Sequence, residues 1–201
     1  NGDTERDFLR VCGLRAAATR IRVMVLDPEL RSAVGAFRDI QAPLSDLKGI
    51  AWAPGTTLFV ENLACAHSLP DLKSTVAVVG LGRAVSLASE LPWVHRSRPL
   101  YWGDIDTDGL EILSLARALF PDLRSILMDS RTLHRYRERW VPEGVANELA
   151  DRARLLPDER AVYEALLANK WEGWDGARGV RLEQERLDWP HVEEELRLAA
   201  G

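Results

Sequence analysis

Cysteine is almost absent from this chain of 201 residues, in which Cys12 and Cys65 are the only two. That excludes a disulfide framework and a four-cysteine zinc site, and it suits a reducing compartment, expected here to be the cytoplasm. Histidine is nearly as scarce, with His67, His95, His134 and His191 scattered along the chain. A metal held here would be a hard cation on oxygen ligands. No apolar run comes near the roughly 20 residues that cross a bilayer, so no helical membrane span and no membrane partner is expected. A basic excess is missing too, since 26 Lys and Arg stand against 31 Asp and Glu for a net charge of −5. Bulk attraction to nucleic acid is not encoded, although a local basic groove beside an acidic site stays open. An initiating Met and a signal peptide are also lacking, and a chain that opens on Asn1 is read as part of something longer. What is present, 46% hydrophobic and 28% charged residues, is enough for one compact domain, or for one with an appended subdomain.

The opening DFLRVCGLRAAATRIRVMVLD has amphipathic helical spacing and leads into irregular segments around Pro28 and Pro43. From Thr56 the pattern changes to short apolar runs that end in polar or glycine residues: TTLFVEN, TVAVVGLG, RPLYWGDID and LRSILMD. Runs of this kind, apolar at nearly every position, suit strands buried on both faces. The stretches between them, NLACAHSLP, RAVSLASELPW and TDGLEILSLARALFP, carry helical spacing and proline stops. Alternating strand and helix predicts an α/β domain with a mostly parallel four-stranded sheet flanked by helices. Beyond residue 130 the chain is charged and helical in pattern, through RTLHRYRERW, VANELADRARLL and PDERAVYEALLANKW to GVRLEQERLDWPHVEEELRLAA. WEGWDGARG reads as a loop into that last piece.

Ligands of open α/β sheets bind beyond the carboxyl ends of the strands, and here three of the four expected strands end in acids. These are Glu61, the pair Asp104 and Asp106, and Asp129. Asp104 and Asp106, two apart on an extended segment, leave it on the same face. Asp108 follows, and Gly109 permits a sharp entry into a helix. Carboxylates converging this closely need a cation such as Mg²⁺ to offset their repulsion. The competing reading is helix capping, which Thr107 or Asp108 could serve alone. Asp129 is read as a cap for TLHRYRE rather than as a ligand.

A strand ending in Glu61, a second ending in the glycine turn of Gly80 and Gly82, and a third ending in Asp104-x-Asp106 together resemble the Toprim domain of topoisomerases, primases and related nucleases. GDIDTDGLEIL, FPDLRSILMD and the late RLEQERL are similar to the JetD nuclease subunits of Wadjet plasmid-defence systems, relatives of the topoisomerase VI A subunit. The likeness covers about residues 55–190 and extends to the opening GDTERDFL. It implies a Rossmann-like Toprim core over residues 55–141, a connecting helical segment over 1–54 and a helical extension over 142–201 that completes the domain. Glu61 would be the Toprim glutamate, and Asp104 and Asp106 would be Mg²⁺ or Mn²⁺ ligands. A second ion would need more carboxylates, for which Glu183 and Glu185 of LEQE are the candidates, unless they belong to a solvated face. Two ions about 3.5 to 4 Å apart can serve both the attacking and the leaving oxygen of a phosphodiester.

The resemblance further implies double-stranded plasmid DNA as substrate, a homodimer, and a condensin-like SMC and kleisin complex that delivers closed circular DNA. Arg83, after the glycine turn, and Arg135, in a cluster with Arg131, His134, Arg137 and Arg139, could meet phosphates or merely face solvent. Trp171, Trp174 and Trp189 are read as packing anchors. Topoisomerases of the family use a tyrosine nucleophile, and none of Tyr101, Tyr136 and Tyr163 lies in a matching motif. Hydrolysis by activated water is the simpler chemistry. A topoisomerase VI A-like transesterase with its tyrosine elsewhere, and a non-catalytic module in which metal only orders loops, are the alternatives; primase activity would need further domains.

Overall fold

The computed structural model describes residues 8–144, 146, 148, 149, 151–174 and 179–201. The expectations placed on the opening segment before residue 8 and on the last part of WEGWDGARG lie outside these residues. Six strands form one sheet: β1 (Arg20–Val25), β2 (Asp39–Pro43), β3 (Thr56–Val60), β4 (Thr75–Val79), β5 (Arg98–Trp102) and β6 (Arg124–Ser125), in the order β2-β1-β4-β3-β5-β6. Strands β4, β3, β5 and β6 run parallel, as the four apolar runs predict. Every residue of β3 and β4 is buried, the mark of a sheet covered on both faces. The architecture is compatible with a Rossmann-like Toprim fold.

The helices α1 (Pro28–Arg31) and α2 (Leu44–Lys48) are short, as is α3 (Leu63–Ser68), whose first N–H groups are capped by Asn62. The longer α4 (Thr107–Leu119) follows β5, and α5 (Ser130–Arg135) is capped by Asp129, as expected. α6 (Pro157–Ala168) and α7 (Trp189–Ala200) lie later in the chain, and both begin with proline in the first turn. RAVSLASELPW forms not an α-helix but a kinked run of 3₁₀ turns over Gly82–Glu90. Among the described residues no helix is long and apolar enough to cross a membrane.

Two expectations are corrected. The helical start collapses to a single turn over residues 8–11, and the rest becomes β1. Ile21, Val23 and Val25 alternate along it, and β1 pairs antiparallel with β2 on one side and β4 on the other. The boundary expected between residues 54 and 55 thus falls between two strands of one sheet. At the other end, the extension is not purely helical, because β7 (Val141–Pro142) and β8 (Val180–Arg181) pair antiparallel before α7 begins.

Candidate functional site

Chain connections leave β3 toward β4 and β5 toward β6, on opposite sides. The carboxyl ends of β3 and β5 therefore border the crevice where an open parallel sheet reverses its order, the usual ligand position. Glu61 stands one residue past β3, and its N–H donates to the Trp102 carbonyl at 3.2 Å. Its side chain is half-buried, and the Tyr101 hydroxyl donates to Oε2 at 3.2 Å. Across the crevice is Gly103, where a Cβ would stand 2.8 Å from Glu61 Oε2 and from the Tyr101 ring. A side chain at this position would have to displace the Glu61 carboxylate and the Tyr101 ring. On the far side of β3, Gly80 and Gly82 turn the chain out of β4 in left-handed conformations, at φ 71° and 48°.

Asp104 and Asp106 are both buried, at 5% and 6% exposure. Between them Ile105 forms a two-way antiparallel bridge with Leu182, with N–H to O distances of 2.9 and 3.0 Å. The alternation around this bridge places Arg181 and Glu183 beside the two aspartates. Asp106 also caps α4, its Oδ1 accepting from the Gly109 N–H at 2.7 Å, so capping falls to Asp106 rather than to Asp108. Asp104 Oδ1 accepts from the backbone N–H of Gln184 at 2.9 Å. The remaining oxygen of each aspartate faces one guanidinium: Arg181 Nη2 donates to Asp104 Oδ2, and Nε lies 3.0 Å from Asp106 Oδ2. Arg181 Nη1 is 3.6 Å from Glu183 Oε1.

The electrostatics follow from this geometry. Burial, and behind it the charges of Asp104 and Asp106, push the Glu61 carboxyl up to about 7. Burial also pushes Asp106 up to about 6; the Gly109 N–H opposes the rise and the charge of Asp104 adds to it, while Arg181 holds it back. Tyr101 is raised well above its ordinary range by burial and by Glu61, and so stays a hydrogen-bond donor. Burial works against the charge of Arg181, but its hydrogen bond to Asp104 and the charges of Asp104, Asp106 and Glu183 outweigh this and raise its pKa.

The late LEQE string reaches the site. Gln184, 2% exposed, accepts from the Asn62 N–H at 2.8 Å and donates to the Trp102 carbonyl at 3.0 Å, closing the ends of β3 and β5. Glu185 Oε2 accepts from Asn62 Nδ2 at 2.8 Å, and Glu183 accepts from Arg186 at 2.7 Å. Arg83 is engaged by Asp108 and Glu111, both at 2.5 Å. The Arg135 guanidinium stands 5.7 Å from the centre of the Tyr136 ring. Trp171 and Trp174 pack on Trp140, and Trp189 packs near Trp102.

Sequence reasoning missed Arg181, Gln184 and Glu143. Glu143 is 5% exposed, and its Oε1 accepts from both the N–H (2.7 Å) and the hydroxyl (2.5 Å) of Thr107, at the start of α4. The signal for Arg181 was present in the alternation R-L-E around Leu182, but its partner strand lies almost eighty residues earlier.

In donor chemistry the residues suit a hard divalent cation: all are carboxylates, and the pKa of Glu61 is raised by burial first and then by the charges of Asp104 and Asp106. Among the described residues no three His, Cys, Asp or Glu side chains close on one point, and the charge facing Asp104 and Asp106 is the Arg181 guanidinium. A family model described as Wadjet protein JetD, C-terminal, matches residues 13–196. No curated protein matches the chain.

Proposed function

The chain belongs to the C-terminal family of the Wadjet protein JetD, and on that premise we propose that it is the nuclease part of a Wadjet plasmid-defence system, cutting double-stranded DNA by metal-dependent phosphodiester hydrolysis. The observation that carries the reading is that Glu61 follows β3 while Asp104 and Asp106 follow the adjacent parallel strand β5, near enough for the charges of both aspartates to raise the pKa of Glu61.

Glu61, Asp104 and Asp106 would hold Mg²⁺ or Mn²⁺, and a second ion would draw on Glu183 and Glu185, of which Glu183 is paired with Arg186 and Glu185 with Asn62. When bound, such an ion would polarise the phosphate and lower the pKa of an attacking water. The chain's own part is positional. Backbone N–H groups of Gln184 and Gly109 fix one oxygen of each aspartate, and Tyr101 fixes Glu61 Oε2. Arg83 is engaged by ion pairs at a solvent-exposed position, where screening keeps such pairs weak, so it can be given up to a phosphate at little cost.

Water is favoured over tyrosine as the nucleophile within this chain. Tyr101, Tyr136 and Tyr163 are all buried, at 3%, 4% and 0% exposure. Their hydroxyls are engaged by Glu61, by His191 at 2.9 Å, and by the Leu149 N–H at 2.7 Å. A condensin-like SMC complex delivering circular DNA to a homodimer completes the proposal, since a chain of net charge −5 is poorly suited to capture DNA by itself. The test is cleavage of supercoiled and linear plasmid by the full-length protein with its partners and Mg²⁺ or Mn²⁺. Free ends that vanish with Asp104→Ala are expected; protein-linked ends would show a transesterase, and no cutting would leave a binding module.

A further inference from the structure

One oxygen of each aspartate is held by backbone and the other faces one guanidinium. Asp104 Oδ1 accepts from the Gln184 N–H and Oδ2 from Arg181 Nη2; Asp106 Oδ1 accepts from the Gly109 N–H, and Oδ2 forms an ion pair with Arg181 Nε at 3.0 Å. Removing the guanidinium therefore releases one oxygen from each aspartate while the other stays fixed, so both carboxylates keep their orientation. Arg181 is itself held by strand pairing rather than by its head group. Val180 and Arg181 pair with β7, and Leu182 is locked to Ile105, so the side chain can swing away without moving its backbone. Although Nε is buried, 37% of the Arg181 side chain is accessible to solvent, which gives the side chain a route outward.

We propose that Arg181 is a resident counter-ion occupying the place of the divalent cation, so that metal entry and Arg181 release are a single exchange. A guanidinium and a divalent ion repel each other and compete for the same two oxygens. Without metal, Arg181 keeps two buried carboxylates from facing each other uncompensated. With metal, the same interaction becomes a penalty on binding, which holds the site in an unloaded state at low metal concentration. The proposal rests on reading Asp104 and Asp106 as metal ligands and adds a regulatory term to that reading.

Calorimetric titration of Mn²⁺ into the metal-free full-length protein, without DNA, tests it. Arg181→Met is expected to tighten binding at least tenfold, with Arg181→Lys in between because an ammonium lacks the fork that spans both oxygens. Asp104→Ala is expected to abolish binding. Unchanged or weaker binding by Arg181→Met, with Asp104→Ala still abolishing it, overturns the proposal and leaves the metal site standing. No binding by wild type or by Arg181→Met overturns both. Should Arg181→Met fail to fold, the wild-type protein carries the test through the Nε–H resonance of ¹⁵N-labelled arginine. The Arg181 signal is expected to lose protection from solvent exchange on saturation with Mg²⁺, and a signal that stays protected overturns the exchange.

Discussion

Glu61 binds its proton more tightly in the folded chain than in the unfolded one, because its pKa is about 7 instead of 4.5. Its stabilising contribution is therefore complete below pH 4.5 and is lost as the pH rises through 7, and Asp106 acts likewise between 3.8 and about 6. For Glu61 the loss is on the order of 3 kcal/mol. Metal-free protein should melt at lower temperature at pH 8 than at pH 5, with a smaller drop for Glu61→Gln; a Glu61→Gln profile parallel to wild type would contradict the assignment. At Gly103 the constraint is steric, since a Cβ would press on both Glu61 and Tyr101. Gly103→Ala should cost about 1–3 kcal/mol, as overpacking does, and lower cleavage by more than tenfold, checked by denaturant unfolding and plasmid assay. The acids Glu61, Asp104 and Asp106 were legible in the sequence because each ends an apolar run. Arg181 was not, because nothing local distinguishes it from the other arginines in this arginine-rich chain.

Among the elements, β3, β4 and β5 were readable since almost every side chain in them is apolar, as burial on two faces demands. β1 was not: its alternation of Ile21, Val23 and Val25 with Arg20 and Arg22 follows the helix-favouring Ala16, Ala17 and Ala18, and the longer periodicity masked it. β7 and β8, with two residues each, carry no pattern at all; they exist because Leu182 finds Ile105 and Val141 finds Arg181. What fastens this late segment to the parallel sheet is Gln184, whose amide satisfies one backbone group at the end of each of two strands. Gln184→Ala leaves the part-buried Asn62 N–H without this partner, a cost of about 1–3 kcal/mol, while the Trp102 carbonyl keeps the Glu61 N–H. A destabilisation of roughly 1–3 kcal/mol in denaturant unfolding is expected, together with weaker Mn²⁺ binding as the backbone N–H that orients Asp104 loses its anchorage. A variant as stable as wild type would mean that Gln184 merely fills space.

At the scale of the molecule, the parallel α/β plan was legible from the alternation of runs, whereas the way the chain's two ends complete it was not, since both completions depend on contacts between distant segments. The late end supplies Arg181, Gln184 and Glu185 to the crevice, and the early end supplies β1 and β2. β4 would be the edge of the parallel sheet without β1, and every residue of β4 is buried. Taking away residues 1–54 would expose the backbone of an apolar strand, Thr-Val-Ala-Val-Val, with no charge or proline to blunt it. The present edge is of the opposite kind: β2 is half-exposed, carries Asp39 and Gln41, and ends in Pro43. A chain starting at residue 55 should therefore aggregate or elute as large species in size-exclusion chromatography, while the same chain with residues 16–54 restored should stay dispersed. A soluble, cooperatively melting 55–201 fragment would instead make the first two strands an appendage, and the sheet would owe its edge protection to the faces alone.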